Sequence, residues 1–142
     1  MTRYLIEKDG ERQNVTSLDG YDDWVLVDEV DWQTPVEVRR ENRWREVKVL
    51  RAEREDAPIE TSIGLVQADA ASRERLRSLA LLPEVELKTA DNRIVTLPGA
   101  AVAGVNVMIA ERLAAIHARA QQLREEIEAS DDPEAIDIEA GW

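Results

Sequence analysis

The chain has 142 residues, no cysteine, no phenylalanine and a formal net charge of −12. Its core must therefore be aliphatic, with Trp24, Trp32, Trp44 and Trp142 as large anchors, and a domain this small gains from sharing burial with copies of itself or a partner. The charge excludes the basic face that nucleic acid requires and disfavours an anionic membrane surface, while the missing cysteines remove disulfides and thiolate ligands.

In chain order, residues 4–15 are predicted to form a hairpin. Tyr4-Leu5-Ile6-Glu7-Lys8 and Glu11-Arg12-Gln13-Asn14-Val15 flank Asp9-Gly10, the pair that a two-residue type I′ turn prefers. After the Asp19-Gly20 turn, Trp24-Val25-Leu26-Val27 adds a third strand. The expectation for residues 1–35 is a small antiparallel β-meander, near the minimum for independent stability. Residues 36–58 alternate in charge sign, with Trp44, Val47 and Leu50 at helical spacing. They read as a charged helical connector beginning near Glu41 and ended by Ala57-Pro58, with Val36-Glu37-Val38 also readable as a strand.

Residues 59–142 form the third expected segment. Residues 59–67 are β-like, and a helix over 71–82, opened by Asp69 or Ala70, puts Leu76, Leu79 and Leu82 on one side. A hairpin follows over 85–97, turning at Ala90-Asp91-Asn92. A helix from about Pro98 to Ser130 comes next, with Pro98 suited to its first turn. In the acidic tail, Ile136-Asp137-Ile138-Glu139 alternates like a short strand able to join a sheet edge. The class is α+β.

Along the long helix, Ile109, Leu113, Ile116, Ala120, Leu123 and Ile127 are spaced four, three, four, three and four residues apart, which is an a/d heptad seam. Three readings stay open: a helix packed on its own hairpins, a self-associating coiled coil, or a helix seeking a partner's groove. Ala110, Ala114, Ala115 and Ala118 allow close approach on the other faces. Trp142 either packs locally or anchors in a partner's pocket, a role tryptophan fills often at interfaces.

Chemistry-bearing patterns are scarce. His117 has no second histidine, cysteine or suitably spaced acid beside it. Asp19-Gly20-Tyr21-Asp22-Asp23 has its glycine too early for a calcium loop and lacks the closing acid. The serines have no nucleophile-elbow context, and the glycines form no phosphate loop. No enzyme activity, cofactor or metal is expected. Met1-Thr2-Arg3-Tyr4 lacks an apolar signal region, and no stretch reaches the roughly 18 apolar residues of a membrane span, so synthesis in the cytoplasm is expected.

Gly64-Leu65-Val66-Gln67-Ala68-Asp69-Ala70-Ala71-Ser72-Arg73, the Ala90-Asp91-Asn92 hairpin, the run from His117 to Ala129 and the closing Ile136-Asp137-Ile138 to Gly141-Trp142 together resemble a domain of unknown function. That domain is common in phage tail and tail-fibre-associated proteins and in prophages. The resemblance covers about residues 59–142. Pro98-Gly99 departs from the usual helix entry, and the family brings no catalytic residues. The resemblance implies a structural or adaptor component of a phage tail fibre, tail tip or baseplate, docked to other tail proteins and located in the virion. A homotrimer would be natural there. Ile109, Leu113, Ile116, Ala120, Leu123, Ile127 and Trp142 are the expected interface. The alternative is a tail-fibre assembly chaperone absent from the finished particle.

Overall fold

The computed structural model describes residues 2–31 and 34–142, so Trp32, one of the expected anchors, lies outside the described residues. The chain divides into two units, Met1–Val38 and Arg39–Trp142.

The first unit is an antiparallel sheet of β1 (Thr2–Lys8), β2 (Glu11–Val15) and β3 (Val25–Asp31), in the order β2-β1-β3. A meander would put β2 in the middle. Instead β1, which carries Tyr4-Leu5-Ile6, takes the centre, while the polar Glu11-Arg12-Gln13-Asn14 strand stays at an edge. Asp9 and Gly10 both have positive φ (52° and 82°), as the I′ turn requires. Ile6 is 1% exposed, and Trp24 meets Tyr21 edge to face with centroids 5.8 Å apart.

The second unit is built along one helix. α1 (Val36–Asp56) starts five residues earlier than the charge pattern suggests, because Pro35 opens the first turn and accepts from the Val38 N–H at 3.1 Å. The short strands β4 (Ile59–Thr61) and β5 (Gly64–Val66) pair antiparallel. α2 (Ala70–Leu79) follows Asp69, whose carboxylate accepts from the Ser72 hydroxyl. It stops earlier than expected: Ala80, Leu81 and Leu82 turn back on carbonyls of residues 76–79, which leaves Leu82 half exposed instead of beside Leu76.

β6 (Glu84–Lys88) and β7 (Ile94–Pro98) form the expected hairpin, with Val85 opposite Leu97 and Leu87 opposite Val95. Pro98 is the last strand residue, with ψ at 150°, and so stands before α3 (Gly99–Ala129) rather than in its first turn. A one-turn 3-10 helix, Pro133–Ala135, opens the tail, and the expected strand over 136–139 does not form.

α3 serves two cores. Val102, Val105 and Ile109 pack with Val66, Leu76, Val85, Leu87 and Leu97. About three helical turns further on, Ala120, Leu123 and Ile127 pack with Val47 of α1 and Ile138 of the tail. The architecture is α+β, with a long C-terminal helix preceded by a hairpin.

Candidate functional site

The inward stripe of α3 is where the heptad residues go. Ile109, Ile116, Ala120, Leu123 and Ile127 are each no more than 5% exposed, and Leu113 is half-buried against the first core. They are covered by their own chain. A residue sealed this way meets a partner only if the domain opens, so the expectation of a free docking seam at these positions is corrected. The spacing was right for a buried stripe and silent on what would bury it.

Trp142 also docks at home. Its indole N–H donates to the Ile138 carbonyl at 2.7 Å, and its ring packs against the second core. The tail is held on α1 by three arginines. Arg39 donates to Glu134 at 2.5 Å and Asp132 at 3.0 Å, Arg40 to the Ser130 carbonyl at 2.8 Å, and Arg43 to the Ile136 carbonyl at 2.6 Å. From α3, Arg119 donates to the Ala140 carbonyl at 3.0 Å. Trp44 supports the same end of the core, with the Arg124 guanidinium 5.4 Å above its ring. The alternating charges of α1 were legible as a solvated face. Their partners were not, although the run Asp131-Asp132-Pro133-Glu134 is a complementary acid cluster about ninety residues away (|i−j| of 91 to 95).

The Arg39 hydrogen bond holds the Glu134 carboxyl below the ordinary glutamate range, against a partial desolvation that opposes it. A depressed folded value means that this contribution is complete above the ordinary value of about 4.3 and is lost as pH falls through the folded one. The Trp142 indole N–H resonance should therefore leave its docked position only below that ordinary value. Arg39→Gln should move the transition upward. An NMR titration showing the same midpoint in both proteins would detach Glu134 from tail docking.

Two concavities flank this clasp. One, of about 400 Å³, lies between Arg43, Glu46, Val49 and Leu50 of α1 and Ile138 of the tail. The other, of about 360 Å³, is lined by Arg54, Arg112, Ala115, Ile116 and Trp142. Arg112 is a structural member of its wall. It donates to the carbonyls of Arg54, Ala57 and Pro58 at 2.6, 2.9 and 3.2 Å, satisfying the C-terminal end of α1. Sequence reasoning passed over it because nothing in the periodicity of α3 marks an arginine whose partners are backbone groups.

The outward face of α3 is unusual for so acidic a chain. Ala100, Ala103, Gly104, Val107, Ala114 and Ala118 are exposed along it, with Met108 and Ala115 on one flank and Ala110 on the other. Glu111 is the one carboxylate in that stretch. An 18-residue window of the helix has a mean hydropathy of 1.4, yet 28% of it is buried, so much apolar surface stays in water. The expectation that no stretch is long and apolar enough for a membrane span is corrected here: by length and composition this helix could cross one, a test that core helices also pass. His117 is exposed, and among the described residues no group of three or more His, Cys, Asp or Glu is placed to hold a metal ion.

Residues 38–140 match the model of a family described as a domain of unknown function, DUF4376, a span that begins at the boundary between the two units. No curated protein and no solved structure matches the chain.

Proposed function

Because the chain belongs to the DUF4376 family, which is defined without an assigned activity, we propose its role from the surfaces its fold leaves open: a non-catalytic structural or adaptor component of a phage tail, working by protein–protein docking. The observation that carries the docking is the outward face of α3. It is apolar and nearly uncharged over about 27 Å of helix, and its opposite face is already filled by the chain's own core. The small side chains let another helix come close, as ridge-and-groove packing needs. The viral setting rests on the resemblance of the hairpin, long helix and closing Gly141-Trp142 to tail-associated domains. The same resemblance makes a homo-oligomer, a trimer by analogy with fibres, the expected form, with other tail or fibre proteins as partners.

Quantitative mass spectrometry of purified particles from the genome encoding this chain tests the reading. A fixed copy number per particle is the expected result. Abundance in the infected cell with absence from particles would replace it with the assembly-chaperone role, in which the same face holds its partner transiently.

A further inference from the structure

The tail segment 131–142 lies in a groove whose floor is Val47 of α1 with Ala120, Leu123 and Ile127 of α3. The groove engages that segment in three ways. Its rim is cationic: Arg39 pairs with Asp132 and Glu134, and Arg40 with Asp131. Its donors meet main chain as well as side chains, Arg43 reaching the Glu134 and Ile136 carbonyls and Arg119 those of Asp137 and Ala140. Its floor takes apolar groups, with Ile138 buried there and Trp142 packed beside it. A set of this kind recognises an extended chain with acids at its start and branched residues further on, as arginine clusters and apolar grooves do when they take peptides.

The segment is held more lightly than the helices beneath it. The Asp131, Asp132 and Glu134 side chains stay half or more in water, where ion pairs contribute little. The concavities of about 400 and 360 Å³ border it at Ile138 and at Trp142, so close packing is lost on both flanks. Arg43 Nε is buried with no acceptor among the described residues, which leaves the clasp with a donor unmet. Lifting the segment uncovers the C-terminal end of the heptad stripe while Val102, Val105 and Ile109 stay packed in the first core. This is the local opening by which Leu123 and Ile127, sealed in the closed chain, can meet a partner.

We infer that the groove is a recognition site for an extended acidic segment of a partner protein, and that residues 131–142 are a displaceable strap that fills it until that segment binds. Charge selects the occupant. With the strap lifted, Arg39, Arg40, Arg43 and Arg119 lose their acceptors together, a cationic rim on a chain whose net charge is −12. A basic or neutral segment would leave those guanidiniums unpaired, whereas an acidic one supplies again what the strap supplied. The inference goes beyond the outward-face docking proposed above and stands apart from the viral setting.

The probe is a fluorescein-labelled peptide of residues 130–142, titrated with the full chain and read by anisotropy. Binding to wild type should be weak, because the tethered strap competes at high effective concentration. Asp132→Asn with Glu134→Gln loosens the strap and leaves floor and rim untouched. It should tighten peptide binding at least about threefold, since apparent affinity scales with the open fraction. Arg39→Glu with Arg43→Glu also frees the strap but reverses the rim, and should weaken binding below wild type. A peptide carrying Asp131→Lys, Asp132→Lys and Glu134→Lys should restore it. In the isotopically labelled chain, saturating peptide should move the Trp142 indole N–H resonance from its docked position. Far-UV spectra matching wild type restrict these readings to folded protein. A loosened chain that binds neither the peptide nor its scrambled form, or both alike, would overturn the recognition site. Tighter binding of the acidic peptide to the charge-reversed chain would reduce the groove to an uncovered apolar patch. Peptide binding with Trp142 unmoved would remove the strap's displacement. Self-association of the loosened chain in place of peptide binding would give the groove to a second copy and overturn the partner segment.

Discussion

Leu123→Ala is expected to destabilise the second unit by about 2–5 kcal/mol, the range for truncating a leucine in a well-packed core. Leu123 is fully buried among Val47, Ala120, Ile127 and Ile138, with Trp44, Leu50, Ile136 and Trp142 packed around that cluster. Its neighbours come from α1, α3 and the tail, three elements that cannot close together on a cavity without breaking the arginine contacts between α1 and the tail. That argues for the upper part of the range. With a urea dependence of about 1–3 kcal/mol per molar, the midpoint should fall by on the order of 1–2 M. The folded fraction should keep the wild-type sedimentation coefficient. A variant that holds its stability but loses its oligomeric state would return Leu123 to an intermolecular seam and contradict the core described above.

That contrast shows what the sequence carried and what it did not. The period of Ile109, Ile116, Leu123 and Ile127 is a property of one helix, so it was readable: a stripe this regular has to be buried. What buries its C-terminal part, Leu123 and Ile127, is decided by Val47, more than seventy residues earlier, and Ile138, eleven residues after the helix seam ends, and no local pattern ties those positions together. The hairpin turns were legible because Asp9-Gly10 and Asn92 demand positive φ, which few residues supply. The strand order was not, because choosing β1 as the centre depends on comparing how apolar whole strands are. The outer face of α3 was visible as Ala110, Ala114, Ala115 and Ala118. Its meaning needed the fold, since the same alanines on an inward face would be ordinary core. The concavity of about 360 Å³ was out of reach of pattern reading altogether. It joins Arg54, Arg112 and Trp142 from the end of α1, the middle of α3 and the end of the tail.

Gly99→Ala and Gly104→Ala, five residues apart in the same helix, are expected to change stability in opposite directions. At Gly99 an added Cβ would lie 1.8 Å from the Leu82 carbonyl oxygen and 2.8 Å from that of Ala80. Both obstacles are backbone in the turn that follows α2, and the Gly99 N–H is itself bonded to the Pro83 carbonyl at 3.2 Å. No rotamer change relieves such a clash. Either α3 moves off the turn or the α2–α3 packing opens, with Leu76, Val102 and Val105 losing contacts together. Overpacking ordinarily costs about 1–3 kcal/mol, and obstruction by two fixed carbonyls places this case at about 3 kcal/mol or above. At Gly104 nothing lies within 4 Å of the new methyl. There alanine only removes the backbone entropy that glycine loses in a helix, a gain of about 0.5–1 kcal/mol. Chemical denaturation at low micromolar protein, where the protomer is read by itself, should separate the two variants by roughly 4 kcal/mol, the sum of those two magnitudes. Equal effects of either sign would mean that the α2 turn does not sit on the start of α3. The entry of the long helix, and with it the placing of its outward face, would then have to be redrawn.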